Sequence, residues 1–220
     1  MVLAPISCYE ETINLVESAA TNLGVAVNLQ KVAINRISSH PYFCIFAAVT
    51  EHKQAMSYPV SRHYYYRDRL ISTPSNLPEL ENFELQRNVN NDLLGNQPGL
   101  WIYFFDESGS LIERTSTLGA ETLWTLHYSI TDIYENAVRT IHDLPLGNCA
   151  SWTSQWATLT YQAPTHLDMQ KPYLHLFAHN PNYKLHRFSS HHGFISVSGD
   201  GNLIEEITHA VDYLEGIVNE

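Results

Sequence analysis

Apolar residues recur at the three- and four-residue spacing of an amphipathic helix in three stretches of the chain, at about 9–23, 120–142 and 203–218. Ser7 and Glu10 form the pattern of a capping box in front of the first stretch. Asn202 and Glu205 form an N-cap pattern in front of the third. The spacing therefore predicts three helices.

Short blocks rich in β-branched and aromatic residues predict strands between these helices, at about 25–37, 42–49, 61–71, 100–105, 110–117, 173–179, 184–188 and 194–198. Turn residues at 106–109 and 180–183 join two pairs of these blocks as hairpins. Strands and helices do not alternate steadily, as they do around a parallel sheet. The pattern therefore predicts a single α+β domain over 1–220, a largely antiparallel sheet with helices packed against it.

The segment 74–99 differs from its surroundings because it is polar and contains three prolines. It includes a short helical pattern at Leu80, Phe83, Leu85 and Val89. Polar segments of this kind are typical of mobile excursions, or of lids over a site. We expect one of these two roles here.

The charge balance is acidic, with a formal net charge of −11 from 12 Lys and Arg against 23 Asp and Glu. Nucleic-acid binding through phosphate neutralisation needs clustered Lys and Arg, so the charge argues against it. It fits a soluble protein, or one that engages a basic protein partner.

Three cysteines form neither a disulfide framework nor a zinc-binding spacing, which favours a reducing compartment. The first 20 residues lack the basic start of a secretory signal, and no apolar run is long enough to cross a bilayer. We expect a cytoplasmic protein without membrane contact.

The predicted hairpin of 173–188 offers a surface for a ligand. If 180–183 is its turn, alternation of side chains along each strand places aromatic and imidazole groups on one face. These groups are Tyr173, His175, Phe177, His179, His186 and Phe188. The same face is also compatible with ordinary packing under a helix.

Three arginines and three tyrosines fall together in 61–71, the one locally basic segment. Arg62 shares a strand face with Tyr64 and Tyr66, and Arg67 shares the other face with Arg69. An arginine pair beside tyrosines is able to hold a carboxylate or phosphate, which makes Arg67 and Arg69 candidate ligand-binding residues. The alternative is an edge strand whose charges discourage aggregation.

A metal site is one possible use of the histidines. His175 and His186 would be diagonal neighbours across the hairpin, within the range in which two imidazoles converge on one ion. Hydrogen-bonded or exposed histidines are the alternative, and we expect no cofactor.

Cys149, in the sequence GNCASW, offers a different chemistry because it falls at a possible helix N-terminus, where the helix dipole stabilises a thiolate. His186 and Asp200 follow it as a base and an orienting carboxylate. This order resembles that of papain-like and transglutaminase-like enzymes, and GNCASW resembles the nucleophile stretch of the papain group. A thiol-dependent hydrolase or acyltransferase is what the resemblance implies. A structural cysteine is the alternative, and His209 with Asp212 is a competing pair.

Taken together, the sequence favours an acidic binding or regulatory protein, similar in character to immunity or adaptor proteins. It would engage a basic partner or a small ligand through the His/aromatic face, with Arg67 and Arg69. The thiol enzyme is the first alternative to this function, and a His-ligated metal enzyme is the second.

Overall fold

A computed structural model of the protein describes residues 40–93, 95, 97–116 and 118–218. Within them the main element is a mostly antiparallel sheet of nine strands in the order β6-β5-β1-β3-β4-β7-β9-β8, with β2 paired to β1. The strands are β1 (Tyr42–Val49), β2 (Ala55–Ser57), β3 (Ser61–Tyr66), β4 (Arg69–Pro74), β5 (Gly99–Phe105), β6 (Leu111–Thr115), β7 (Trp156–Gln162), β8 (Lys184–Ser189) and β9 (His192–Ser198).

Five α-helices pack against this sheet, which confirms the predicted α+β class. They are α1 (Glu79–Leu93), α2 (Thr125–Tyr128), α3 (Ile133–Ile141), α4 (Gln170–His179) and α5 (Leu203–Leu214), with a 3₁₀ turn at Ala120–Thr122. The predicted helix at 9–23 and strand at 25–37 lie outside the described residues. No described helix is both long enough and apolar enough to cross a bilayer.

Both faces of the central strands are covered, as in β1, whose eight residues are all buried. One face is covered by α2, α3 and the extended segment 144–155, around Phe46, Trp124 and Trp156. The other face holds two separate clusters. One lies under α1, and the other lies under α4 and α5. The strand β3 runs between these two clusters, because it pairs with β1 on one side and β4 on the other.

The segment 74–99 folds around α1, as its helical pattern predicts. Leu85, Val89 and Leu93 are buried against β1 and β5, whereas Leu80 and Phe83 are exposed. The helix therefore covers part of the sheet, and a lid role for this segment stays a prediction. The hairpin predicted around 106–109 is confirmed as β5 and β6.

The single helix predicted at 120–142 is wrong, because the chain breaks between α2 and α3. Ile130 N donates to Ala150 O, and Ser129 forms a β-bridge with Ser151. Asp132 then caps α3 by accepting hydrogen bonds from the backbone of Tyr134 and Glu135. Pairing with the segment 148–152 therefore interrupts a helix that the apolar spacing predicts as continuous.

The single strand predicted at 61–71 is instead the hairpin of β3 and β4. Arg67 and Asp68 form its turn with φ of 45° and 63°, a left-handed conformation. Both strands lie in the interior of the sheet. The edge-strand interpretation of this segment is therefore wrong.

The hairpin predicted at 173–188 is also wrong in its first half, because 173–179 belongs to helix α4. Pro172 falls in the first turn of α4, where a missing N–H costs no intrahelical hydrogen bond. Leu176 and Met169 pack against α5. The second half is confirmed as β8, but its hydrogen-bonded partner is β9.

Candidate functional site

A cleft of about 500 Å³ opens on the face of the sheet that holds the two clusters. We call it the Arg62 cleft. Its floor is β3 and β4, and its walls are the residues before β7 and the turn between β9 and α5. The lining side chains include Arg62, Tyr64, Thr73, Gln155, Asp200 and Asn202.

Arg62 occupies the floor because of its place in β3. It lies opposite Phe43 of β1 and Thr73 of β4, in the strand that separates the two clusters. Its guanidinium Cζ lies 5.2 Å from the centroid of the Tyr64 ring, a cation–π contact. Its Nε is buried and has no hydrogen-bond partner among the described residues. No described carboxylate forms an ion pair with it.

Asp200 brings the opposite charge to the same cleft. It is exposed in the turn that follows β9. Gln155, in the neighbouring wall, forms hydrogen bonds with this turn. When the Gln155 side chain is oriented with its amide nitrogen facing Asp200 and Gly199, that nitrogen donates to Asp200 Oδ1 at 3.0 Å and to Gly199 O at 2.9 Å. The cleft thus carries one positive and one negative group that are not paired with each other.

Arg67 and Arg69, the arginines expected to hold a ligand, are engaged by α5 instead. Arg67 Nη1 donates to Asp212 Oδ1 at 3.1 Å, and Arg69 Nε donates to Glu215 Oε1 at 2.6 Å. Asp212 and Glu215 are both largely buried. Their side chains are 13% and 10% exposed, and they attach α5 to the hairpin of β3 and β4.

Cys149 lies in an extended segment and not at a helix N-terminus, so the expected dipole is absent. Asn136 Nδ2 lies 3.4 Å from its Sγ, and the residue is 2% exposed. Burial raises the pKa of the thiol to about 11. The environment therefore disfavours a thiolate, which is the opposite of what activation requires.

His186 lies on β8, on the face of the sheet opposite the Arg62 cleft. Its ring stacks on Phe194 at 5.2 Å between centroids and lies 5.9 Å from the ring of His127. Burial lowers the pKa of His186 to about 4. The structure does not bring Cys149, His186 and Asp200 together, because Asp200 lies in the Arg62 cleft.

The residues of the predicted His/aromatic face are also separated. Tyr173, His175 and Phe177 lie on α4, where residues two apart do not share a face. His175 stacks on Tyr213 at 4.3 Å and on His179 at 6.1 Å, and Phe177 is exposed. Phe188 lies on β8, beside His186.

The predicted metal site required His175 and His186 to be diagonal neighbours across a hairpin of 173–188. This hairpin is not formed, so the two histidines do not adopt that geometry. Among the described residues, no group of three or more His, Cys, Asp or Glu side chains is placed to hold a metal ion.

The sequence pattern predicted that Arg62 and Tyr64 share a face, but not that they line a cleft. Gln155 was missed altogether. It reaches the site because β7 pairs with β4 and β9, contacts between segments far apart in the chain. No local spacing around Gln155 signals this role.

No family model and no curated protein sequence matches this chain. Solved structures do match. The N5-carboxyaminoimidazole ribonucleotide synthetase of Thermus thermophilus is 16% identical with a TM-score of 0.61, over 84% of this chain and 52% of its own. The N5-carboxyaminoimidazole synthase of Aspergillus clavatus, in complex with ADP and 5-aminoimidazole ribonucleotide, is 17% identical with a TM-score of 0.62, over 80% and 51%.

The phosphoribosylaminoimidazole carboxylase ATPase subunit of Aquifex aeolicus is 14% identical with a TM-score of 0.60, over 97% of this chain and 75% of its own. The chain thus spans about half the length of the first two enzymes. At these identities the likeness establishes a shared fold with part of each enzyme.

Proposed function

We propose that this chain is a binding protein that holds a small anionic ligand in the Arg62 cleft. The observation that carries the proposal is the guanidinium of Arg62, whose Nε is buried and finds no acceptor in the part of the chain that the structure describes. A buried unsatisfied donor costs about 1–3 kcal/mol, and a carboxylate or phosphate oxygen would remove that cost. Arginine also presents its donors in a planar fork that matches both groups.

The surroundings of Arg62 suit such a ligand. The Tyr64 ring restricts the guanidinium from one side, so less conformational entropy is lost when an anion binds. The volume of about 500 Å³ lies in the range of about 300–1,000 Å³ that small-molecule sites occupy. Arg67 and Arg69 are already paired with carboxylates, so Arg62 is the better candidate to receive an anion.

Binding is favoured over thiol catalysis because Cys149 and His186, the two groups that thiol catalysis would need, have unsuitable pKa values. The pKa of Cys149 is raised to about 11 and that of His186 is lowered to about 4, both by burial. Neither group is poised to exchange a proton near neutral pH. A thiol-dependent enzyme therefore has little support from these residues.

A basic protein partner is the second candidate for the ligand, favoured by the net charge of −11. A regulatory role in the cytoplasm, without nucleic acid or membrane, belongs to the same proposal. The free cysteines of the described residues, Cys44 and Cys149, are buried, which fits a reducing compartment. Association with a basic partner should weaken steeply as salt is raised.

The proposal is tested by thermal unfolding in the presence of acetate, inorganic phosphate, ADP and ATP. The nucleotides are included because related folds are described with ADP. A ligand at about 100 times its Kd should stabilise the folded state by about 2.7 kcal/mol. We expect Arg62→Gln to abolish the shift in melting temperature, and Arg67→Gln, the matched control, to keep it. Equal shifts in both variants, or none in the wild type, would overturn the proposal.

A further inference from the structure

We infer that the ligand of the Arg62 cleft is dipolar: a small molecule with an anionic group for Arg62 and an amine for Asp200. This inference rests on the proposed function and narrows its ligand class. Its basis is the presence of two opposite charges in one cleft that form no ion pair with each other. A ligand with a single charge would satisfy only one of them.

The two charges come from different walls, which fixes the direction of the ligand. Arg62 projects from β3 on the floor, whereas Asp200 belongs to the turn between β9 and α5. The amine of the ligand would therefore lie toward the start of α5, and its anionic group toward β3.

Gln155 is the positioning residue for the amine end. Its two hydrogen bonds, to Asp200 Oδ1 and Gly199 O, connect the wall before β7 to the turn and hold the carboxylate. A carboxylate accepts about four hydrogen bonds, so Oδ2 keeps its capacity for an ammonium group. The backbone at Gly199 has φ of 138°, a conformation that side chains rarely adopt, so the turn itself is specified by glycine.

The polar surroundings of the cleft fit a small hydrophilic molecule. Thr73 and Asn202 line the cleft with their polar groups engaged, because the Thr73 hydroxyl donates to Pro74 O and the Asn202 amide bonds to Glu205. The Tyr64 ring provides an apolar surface for a short hydrocarbon spacer. An ω-amino acid has these parts: a carboxylate, a few methylene groups and an ammonium group.

Titration calorimetry with matched probes tests the inference. The probes are 4-aminobutyrate and 6-aminohexanoate, with butyrate and hexanoate as acids of the same length and butylamine as the amine alone. We expect at least one amino acid to bind about tenfold more tightly than its acid, a difference of about 1.4 kcal/mol. Asp200→Asn should remove that advantage by weakening binding of the amino acid. Arg62→Gln should weaken both.

The outcomes separate this inference from the proposed function. If acids and amino acids bind equally, or if Asp200→Asn weakens both to the same extent, the dipolar ligand is overturned and the anion site stands. If no acid, amino acid or phosphate binds in an Arg62-dependent way, the anion site itself is overturned. Asp200 is exposed in a turn, so the folded state of Asp200→Asn is checked by its melting temperature.

Discussion

The rings of Trp124 and Trp156 stack with their centroids 4.6 Å apart and their planes 16° from parallel. Trp124 is fully buried, and Trp156, the first residue of β7, contributes to the lining of the Arg62 cleft. The stack therefore connects the helical layer on one face of the sheet to the site on the other.

We predict that Trp124→Ala lowers the free energy of unfolding by about 3–5 kcal/mol, because it removes a large buried ring and leaves a cavity. Urea denaturation measures this change. Trp152→Ala is the control: its side chain is half-exposed, and we expect a loss of about 1 kcal/mol or less. Similar losses in the two variants would contradict a core role for the stack.

The ion pair of Arg69 and Glu215 predicts a second stability effect. Arg69→Ala should cost about 1–3 kcal/mol, since Glu215 is 10% exposed and would lose its cation. The control is Arg139→Ala, which removes an exposed i,i+4 pair with Glu135 and should cost about 0.5 kcal/mol. Equal costs would mean that the pair with α5 is no more important than a surface pair.

Stability should fall as the pH is lowered from about 6.5 toward about 3. Burial lowers the pKa of both His63 and His127 from 6.5 to about 3, so in this window the unfolded state binds protons that the folded state does not. Each histidine contributes at most about 1.4 kcal/mol per pH unit. Melting temperatures of the wild type and His127→Gln between pH 7 and pH 4 check this. The variant should show the shallower slope, and an unchanged slope would contradict the burial of neutral His127.

Cys149 should react slowly with iodoacetamide at neutral pH, because its pKa is raised to about 11 and its side chain is buried. Mass spectrometry of the folded protein between pH 6 and pH 9 gives the rate at each cysteine. Rapid alkylation of Cys149 alone near pH 6 would instead restore the thiol-enzyme hypothesis.

The parts of the fold that the sequence predicts well are those with local signals. The hairpin of β5 and β6 is marked by a turn in which Asp106 accepts hydrogen bonds from Ser108 and Ser110. The start of α5 is marked by its N-cap residue Asn202, whose side chain accepts a hydrogen bond from the backbone N–H of Glu205. In both cases the interacting residues lie within four positions of each other.

The parts that could not be predicted depend on distant contacts. The alternation in 173–179 fits a strand, but packing of Leu176 against α5 makes it a helix. Arg67 and Arg69 have carboxylate partners 145 and 146 residues away, so no local pattern shows that they are engaged. Arg62 becomes the candidate anion-binding residue only once those pairs are known.

The most direct test of the account is the ¹⁵N–¹H signal of the Arg62 Nε, assigned through its loss in Arg62→Gln. This donor is buried and has no acceptor within residues 40–93, 95, 97–116 and 118–218, so an anion in the cleft should change its chemical shift and slow its exchange with solvent. On titration with inorganic phosphate or 4-aminobutyrate, the account predicts a saturable change at Arg62 and little change at Arg67, which is paired with Asp212. A response at Arg67 or other arginines while the Arg62 signal stays constant would contradict it.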